Sequence, residues 1–449
     1  MAWFTHLLAR VAPAQAPKLS EPGKMDEPTS TAALPRRGLW ANPDFLKLWA
    51  GETASEFGSF IGGPALSFAA VITLAATPFQ MALVSAAHII PGLLSPLAGV
   101  WVDRLRRRPI MIGADLAFTV VLLTVPLAAV ARLLSMPQLY AVVFVTAALD
   151  TVFRIAYGAY LPTLVGRDDI LEANSKLTAS SAVAEVSGFA LAGWLVQWLT
   201  APFAVAIDAL SFLASIVALR AIWKPEDLVA SRDQRRHLLT EIAEGARFIA
   251  ADVRLLAIAA CTAVQAVFDS VVGALYMLFV VNALGFKPGP LGVIFAVGGI
   301  SSFVGALLAR RAAETLGLVR SMVAGVAITG VGLMLVPMAR GSGVYGAMML
   351  SANQLIADGA FTIFMINYSS FVQIVTPDEI LGRVNSCLMF SRRVAALVGS
   401  LVGGVLATAL GLRAPLYIGA LGTMLAAVML LGVPEKIAPA SQRLAEAVE

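Results

Sequence analysis

The stretch FQMALVSAAHIIPGLLSPLAGV, residues 79–100, contains 22 residues without a single Asp, Glu, Lys or Arg. A helix needs about 20 mainly apolar residues to cross the roughly 30 Å hydrocarbon core of a bilayer. This stretch is therefore long enough and apolar enough to span a membrane. It predicts a transmembrane helix, and the rest of the chain shows the same pattern.

Apolar runs of similar length recur along the whole chain. Hydrophobic residues make up 59% of the sequence and charged residues 13%, whereas a soluble domain has about 25% charged residues. Mean hydropathy is +0.82. These values exclude a disordered chain and disfavour a water-soluble enzyme. They predict an all-α membrane protein with twelve transmembrane helices. The predicted spans are 46–75, 79–100, 109–132, 138–163, 173–198, 202–222, 254–282, 288–309, 319–338, 344–370, 384–410 and 414–433.

Polar stretches divide these spans into two groups of six. Residues 1–44 are rich in proline and charge and predict a cytoplasmic N-terminal tail. The polar stretch 223–253 predicts a cytoplasmic linker between an N-terminal six-helix bundle, 45–222, and a C-terminal six-helix bundle, 254–433. Residues 434–449 then form a cytoplasmic C-terminal tail.

Positive charge is unequally distributed between the two sides of the predicted bundle. The loop after residue 102 contains Arg104 and the run 106–108, and the linker and N-terminal tail are also basic. Cytoplasmic loops of membrane proteins carry such an excess of Lys and Arg. The pattern predicts a multi-pass protein of the cell (inner) membrane with both termini in the cytoplasm. The opposite loops contain only Arg132, Lys287, Arg340 and Arg413.

An internal repeat relates the two predicted bundles. The segment 165–175 recurs at 375–386, where Val, Asp, Ile and Leu return at an offset of 210 positions and an Asn-Ser pair at 211. Residues 188–193 match 399–404, again at 211. A repeat spaced by six spans predicts two pseudo-symmetric halves related by an axis along the membrane normal. Transporters built this way bind their substrate between the halves, near the midplane.

The loop Gly99-Val-Trp-Val-Asp103-Arg104-Leu-Arg106-Arg107-Arg108 resembles the signature loop of the major facilitator superfamily. The resemblance implies a twelve-helix fold and secondary-active transport. Two residues depart from the pattern of the superfamily. Arg106 stands where many members have Gly, and Phe189 follows Gly188 where antiporters of the superfamily often have Pro. Spaced matches also resemble the enterobactin-exporter and macrolide-efflux-like branch, and they lie at 160–162, 172–174, 207–212 and 376–386.

The signature loop predicts a gating role for a small set of residues. Gly99 is expected to let its helix approach a neighbour closely. Asp103 can pair with Arg104 or Arg107 in its own loop, or with Arg383 on a facing helix. A charge cluster present in only one of two conformations shifts the equilibrium between them. We therefore expect an inner-side latch that favours the outward-open state. The alternative is a basic loop that only sets topology.

Charged and amide side chains inside the predicted spans are the candidates for substrate and proton binding. A charged residue at the bilayer centre costs about 2.5–3.5 kcal/mol on insertion scales, and such residues usually face a cavity. Structural bonds between helices are the alternative for each of them. The candidates are Glu56, Asp150, Arg154, Glu185, Gln265, Asp269, Asn353 and Asp358.

Asp150 and Arg154 lie four residues apart, hence on one helix face and within pairing reach. We expect Asp150 to change its protonation as the cavity changes hydration or binds substrate. Proton entry would then be exchanged for substrate leaving the cytoplasm. Asp115 and Asp208 lie nearer span ends, and structural roles are favoured for both.

The predicted function is therefore a proton-coupled, secondary-active exporter of small amphipathic molecules, such as a drug, a macrolide-like compound or a siderophore-like metabolite. Two alternatives stay open, a lysolipid or metabolite facilitator of the same fold and a non-transporting sensor or scaffold. The sequence has no Walker-type, His-Glu-x-x-His or Gly-x-Ser-x-Gly motif, which disfavours an enzyme. No cofactor, metal site or nucleic-acid partner is predicted; the expected partners are the substrate, protons and the lipid bilayer, and the expected state is a monomer.

Overall fold

The computed structural model describes residues 38–102, 105–226 and 238–434, and within these ranges every regular element is helical. Among these residues, eleven helices are long and apolar enough to cross a membrane, counting the π-helical turns that extend two of them and the 3₁₀ turn Ala427–Leu430 that extends the last. The helices are α1 (Pro43–Phe68), α2 (Pro78–Leu93), α3 (Ser95–Val102), α4 (Arg107–Val130), α5 (Met136–Val165), α6 (Ile170–Leu199), α7 (Ala201–Ala221), α8 (Leu238–Ala251), α9 (Val253–Leu278), α10 (Pro288–Leu316), α11 (Leu318–Met338), α12 (Val344–Val375), α13 (Asp378–Leu410) and α14 (Arg413–Ala426).

The second predicted span, 79–100, is wrong as a single helix. The chain bends at Leu94, which has φ −90° and ψ 4°, so α2 ends there and α3 begins at Ser95. Pro96 follows in the sequence. Proline has no backbone N–H for the helical bond to residue i−4, and its ring clashes with that carbonyl. The two shorter helices together cover the predicted span.

The predicted tail and linker are more structured at their edges than the sequence suggests. Leu39 to Ala41 form a short 3₁₀ turn, and the Asn42 side chain caps α1 by accepting hydrogen bonds from the backbone N–H groups of Asp44 and Phe45. Residues 1–37 of the tail lie outside the described residues, as do 227–237 of the linker and 435–449 of the C-terminal tail. The remainder of the linker contains α8.

The internal repeat extends to elements whose sequences show no match. Helices α1 and α9 each have 26 residues and begin 210 positions apart. Each continues into one turn of π-helix, Ala69–Thr73 and Phe279–Ala283, again 210 apart. The next helix then begins at a proline in both cases. The two halves are therefore copies of one helical plan, as the offset between 165–175 and 375–386 predicts.

The same pairs of helices pack together in both halves, the first comprising α1 to α7 and the second α9 to α14. In the first half α1 packs on α6 and α7, and α4 packs on α5 and α7; in the second, α9 packs on α13 and α14, and α11 on α12 and α14. Two extensive contacts join the halves, α6 with α10 and α2 with α13. The pseudo-symmetry maps each of these two contacts onto the other, because α6 corresponds to α13 and α10 corresponds to α2.

We call the end of the bundle that contains the two π-helical turns the π-turn side, and the end that contains the 222–238 connection the linker side. At the π-turn side the backbones of α6 and α10 nearly touch at Gly193 and Gly292. The Gln197 side chain accepts a 3.0 Å hydrogen bond from the Gly289 backbone N–H in the same contact. Gly404 of α13 packs on Ala82 of α2 near the same end. The halves are therefore in close contact at the π-turn side.

The outward-facing surface of the helices is rich in exposed large apolar side chains. Such a surface suits the acyl chains of a bilayer, since lipid offers no partner for polar groups. Examples from both halves are Val120, Leu127, Leu213, Val217, Val293, Leu307, Leu355 and Val405.

We predict that Gly292→Val destabilises the protein by about 1–3 kcal/mol, the usual cost of overpacking a close contact. A Cβ at this position would lie 2.7 Å from the Phe189 carbonyl oxygen and 2.8 Å from that of Ala190. Gly113→Val is the matched control, because a Cβ there meets nothing within 4 Å. Thermal unfolding in detergent checks both, and an equal change in Tm would contradict the close contact.

Candidate functional site

A cavity of about 720 Å³ is lined mainly by the first half, and one helix of the second half completes its wall. Its walls come from α1, α2, α4, α5 and α7 of the first half and from α9 of the second. The cavity combines apolar residues with an unusual density of polar and charged ones. Its polar and charged lining residues are Glu52, Ser55, Glu56, Ser59, Ser67, Ser85, His88, Thr146, Asp150, Arg154, Asp208, Asp269 and Ser270.

Asp150 and Arg154 form the ion pair that their spacing predicts. The Arg154 Nε lies 2.9 Å from each carboxylate oxygen of Asp150. The Asp150 side chain is 48% exposed and the Arg154 side chain is 71% exposed. Both residues line the cavity. Exposed pairs of this kind add at most about 1 kcal/mol to stability. The pair therefore contributes more to the electrostatic potential of the cavity than to the free energy of unfolding.

Two glutamates of α1 line the cavity one helical turn apart. Glu56, a predicted site residue, accepts a 3.0 Å hydrogen bond from the Ser181 hydroxyl of α6. Glu52 is not among the residues that the sequence predicts, although it lies in the cavity and interacts electrostatically with Glu56, Asp150 and Arg154. Its spacing of four residues from Glu56 is the signal that would have identified it.

Two further carboxylates reach the cavity from α7 and α9. Asp208, for which the sequence favours a structural role, packs against Gly58 and Gly62 of α1 and also lines the cavity. The Ser59 hydroxyl donates to it at 3.4 Å. Asp269, a predicted site residue, accepts a 2.7 Å hydrogen bond from the Thr423 hydroxyl of α14. Glu56, Asp150, Arg154 and Asp269 thus share one cavity.

Four of the predicted site residues, Glu185, Gln265, Asn353 and Asp358, do not line this cavity. Gln265 is 3% exposed, and Asn353 is 2% exposed and contacts Gln354 and the Gly332 carbonyl oxygen. Asp358 packs on Gly298 of α10. Glu185 interacts electrostatically with both Glu56 and Asp358. Three of these four residues, Gln265, Asn353 and Asp358, belong to the second half.

Among the predicted gating residues that the structure describes, Arg107 and Arg383 have separate acidic partners. Asp103 and Arg104 lie outside the described residues. At Gly99, where a close approach is expected, a Cβ would meet no atom of the described residues within 4 Å. The backbone N–H of Arg107 donates to Glu226 at 2.7 Å, so this residue is held at the start of α4. Arg383 forms a 2.6 Å ion pair with Glu244 of the linker helix α8.

The charge balance of the cavity is acidic. Five acidic side chains line it, from Glu52, Glu56, Asp150, Asp208 and Asp269, together with Arg154, while Arg392 interacts electrostatically with Asp269. His88 is a further titratable group in the wall. Such a lining attracts a cation or a proton and repels an anion. Among the described residues, no three His, Cys, Asp or Glu side chains are grouped closely enough to hold a metal ion.

Two similar helical halves around a polar cavity define a membrane transporter, not an enzyme. Comparison with known proteins gives the family. Residues 39–445 match the family described as transmembrane secretion effector, and the chain belongs to this family of major facilitator superfamily transporters. The predicted superfamily is thereby confirmed, and so is the all-α fold with two pseudo-symmetric halves.

Individual relatives and solved structures agree with this assignment. The chain is 26% identical to the uncharacterized MFS-type transporter YfiS of Bacillus subtilis (strain 168) over 408 residues, 89% of this chain and 95% of that protein. The nucleoside transporter NupG has the same fold, with a TM-score of 0.71 and 14% identity over 87% of this chain and 98% of NupG. A bacterial homologue of the iron transporter ferroportin, in an inward-facing state, has a TM-score of 0.68 and 17% identity over 87% of this chain and 98% of its own.

We predict that breaking the Asp150–Arg154 pair changes stability little. Arg154→Gln, Asp150→Asn and the double variant should differ from wild type by less than about 1 kcal/mol, because both side chains are solvated. Thermal unfolding of the four proteins in detergent provides a double-mutant cycle. A coupling energy of several kcal/mol between the two side chains would contradict their exposure to solvent.

Proposed function

We propose that this MFS-type transporter is a proton-coupled exporter that moves small amphipathic molecules by alternating access. The single observation that supports this most strongly is the shared cavity that Glu52, Glu56, Asp150, Arg154 and Asp269 line. Intramembrane charges that gather around one water-accessible space mark substrate and proton pathways.

Alternating access requires that the halves close at one end of the cavity at a time. The close contacts between α6 and α10 lie at the π-turn side, where Gly193 meets Gly292. The contact between α2 and α13 runs from Gly404 on the same side to Gly92, which packs on Arg393 near the middle of α13. This arrangement supports a state closed at the π-turn side. Opening would rock one half about these contacts.

The basic loops support an orientation in the inner membrane. Arg107 and Arg108 lie at the linker side, and the pattern of positive charge assigns this side to the cytoplasm. With both termini cytoplasmic, the described conformation is inward-facing. The latch of the signature loop would then form in the opposite, outward-open state. In that state Arg383 would pair with Asp103 instead of Glu244.

The residues that line the cavity favour cationic amphipathic molecules as substrates. The carboxylates supply negative charge, and aromatic rings supply an apolar wall, with Phe118 stacked on Phe212 at 4.5 Å and Phe153 beside Tyr157 at 6.1 Å. A binding site of apolar wall and few charged groups suits such ligands. Among the classes that the branch resemblance implies, cationic drugs and macrolide-like compounds fit this lining better than anionic siderophores.

The decisive experiment is transport by purified protein in proteoliposomes with an imposed pH gradient. We expect ethidium, an amphipathic organic cation, to accumulate in vesicles that are acidic inside and to lose this accumulation when a protonophore collapses the gradient. Erythromycin and enterobactin are tested alongside as a macrolide and an anionic siderophore. Gradient-independent equilibration would indicate a facilitator, uptake of lysophospholipid alone would indicate a lipid transporter, and no movement of any probe would indicate a sensor or scaffold.

We further predict that Glu56→Gln raises the KM for ethidium at least about tenfold, since it removes a charge that contacts the ligand in ground and transition states alike. Coupling to the pH gradient should persist at high ethidium concentration. Glu314→Gln is the matched control, because this glutamate pairs with Arg310 on the exposed surface of α10. An unchanged KM in Glu56→Gln would remove this residue from the substrate site.

A further inference from the structure

The middle of α13 contains two adjacent arginines, Arg392 and Arg393. A charged side chain at this position of a membrane-spanning helix is costly, and such residues usually pair with an opposite charge or face a cavity. Among the described residues, no carboxylate lies within ion-pair distance of either guanidinium. Neither positive charge is therefore neutralised by an acidic side chain of the described part of the chain.

Arg393 is held at a contact between the two halves. Its guanidinium lies directly on Gly92 of α2, where a Cβ would overlap it. The packing of α2 on α13 is one of the two extensive contacts that join the halves. We therefore assign Arg393 to the packing of the halves, and Arg392 is left without such a role.

The position of Arg392 is on the inner side of α13. Successive residues of an α-helix are rotated by about 100°, so position 392 lies about 200° from positions 390 and 394. Phe390 and Val394 are both exposed on the outer surface. Gly399, about two turns further on, returns to nearly the same face as Arg392 and packs on the Val267 carbonyl oxygen of α9. Arg392 therefore lies on the face of α13 that is turned into the bundle.

The guanidinium of Arg392 lies against an apolar face of α12. Its Nη1 is 3.4 Å from the Met365 sulfur, and its Cζ is 5.7 Å from the centre of the Phe361 ring. A thioether is a weak acceptor, whereas a guanidinium has five N–H donors. An aromatic ring attracts the cation but does not supply the missing acceptors. The group is thus fixed in position while most of its donors stay available.

The internal repeat indicates which space this position faces. At the offset of 211 that relates α6 to α13, Arg392 corresponds to Ser181. Ser181 donates a 3.0 Å hydrogen bond to Glu56 of α1, and Glu56 lines the cavity. At the offset of 210 that relates α1 to α9, the counterpart of Glu56 is Ala266. The second half therefore has a guanidinium in place of the hydroxyl and an alanine in place of the glutamate.

Acidic and basic groups around the cavity are divided between the halves. Four of the five acidic side chains that line it belong to the first half. The fifth, Asp269 of α9, accepts a hydrogen bond from Thr423 and interacts electrostatically with Arg392. An anionic group of a ligand is repelled by the acidic wall of the first half and attracted by an unneutralised guanidinium in the second.

We propose that Arg392 binds an anionic group of the substrate, a carboxylate or a phosphate, so that the transported molecules are zwitterionic amphipaths. This inference rests on the proposed function and narrows its substrate class. The cationic end of the substrate lies among the carboxylates of the first half, and the anionic end pairs with Arg392. A guanidinium suits this task because its planar fork donates two parallel hydrogen bonds to one carboxylate or phosphate. Phe361 and Met365 then contact the apolar part of the substrate.

The test measures how strongly the protein prefers a zwitterion to its ester. Ciprofloxacin carries a protonated amine and a carboxylate near neutral pH, and its methyl ester keeps the amine but has no anionic group. Equilibrium dialysis of the purified protein in detergent, with protein-free micelles as the blank, gives a Kd for each. We expect the wild type to bind ciprofloxacin at least about tenfold more tightly than the ester, because only ciprofloxacin forms the charge-assisted pair.

Three variants assign this preference to one side chain. Arg392→Gln should reduce the ratio of the two Kd values to about one. Arg392→Lys keeps a positive charge without the planar fork and should give an intermediate ratio. Arg310→Gln is the matched control, because this arginine pairs with Glu314 on the exposed surface of α10, and its ratio should equal that of the wild type. A change in packing that weakens both probes equally leaves the ratio unchanged and does not imitate the expected result.

Several outcomes would overturn the inference. A wild-type ratio of one or below would do so even if no variant of Arg392 folds. An unchanged ratio in Arg392→Gln would indicate an arginine that pairs with a carboxylate of the protein in another conformation. Displacement of ciprofloxacin by millimolar inorganic phosphate would indicate a site for the free anion.

The proposed function is tested separately, by gradient-driven accumulation of ethidium in proteoliposomes of the wild type. A protein that accumulates ethidium without preferring the zwitterion would refute this inference alone. A protein that prefers the zwitterion but accumulates no probe would refute the proposed export. The two results are distinguishable because binding in detergent requires no gradient.

Discussion

Ionised side chains cannot lie against acyl chains without a large loss of hydration, and this constraint governs the architecture of the protein. The membrane-spanning helices of the first half carry several carboxylates and an arginine. In the folded bundle Glu52, Glu56, Asp150 and Arg154 line one cavity, and apolar side chains cover the outer surface. A water-accessible space between the halves is thus a condition for folding as well as for transport.

The cavity in turn depends on how the two halves touch. At the π-turn side, Gly193 and Gly292 allow the backbones of α6 and α10 to approach without intervening side chains. The contact of α2 with α13 is its counterpart under the pseudo-symmetry. Because the two contacts are equivalent in plan, rocking about them can exchange one closed end for the other. The repeat therefore supports the proposed alternation between two related conformations.

Chemically similar residues acquire different properties from their surroundings in this protein. Asp150 faces the Arg154 guanidinium at 2.9 Å and lines the cavity. Asp115, on the neighbouring helix, is completely buried. The first side chain is in contact with the cavity, whereas the second is packed away from it.

The sequence alone determined the membrane class, most of the helix positions, the repeat and the superfamily, because length, hydropathy and local motifs are properties of contiguous residues. It also paired Asp150 with Arg154, since a spacing of four residues defines one helix face. Only the tertiary structure decided which charged residues share a cavity. Gln265 and Asn353 turn out to be buried in the second half, whereas Glu52 and Asp208 join the site. The break at Leu94 and the complete burial of Asp115 were equally hidden. Each depends on what neighbouring helices place beside the residue, and one helix's sequence does not contain that information.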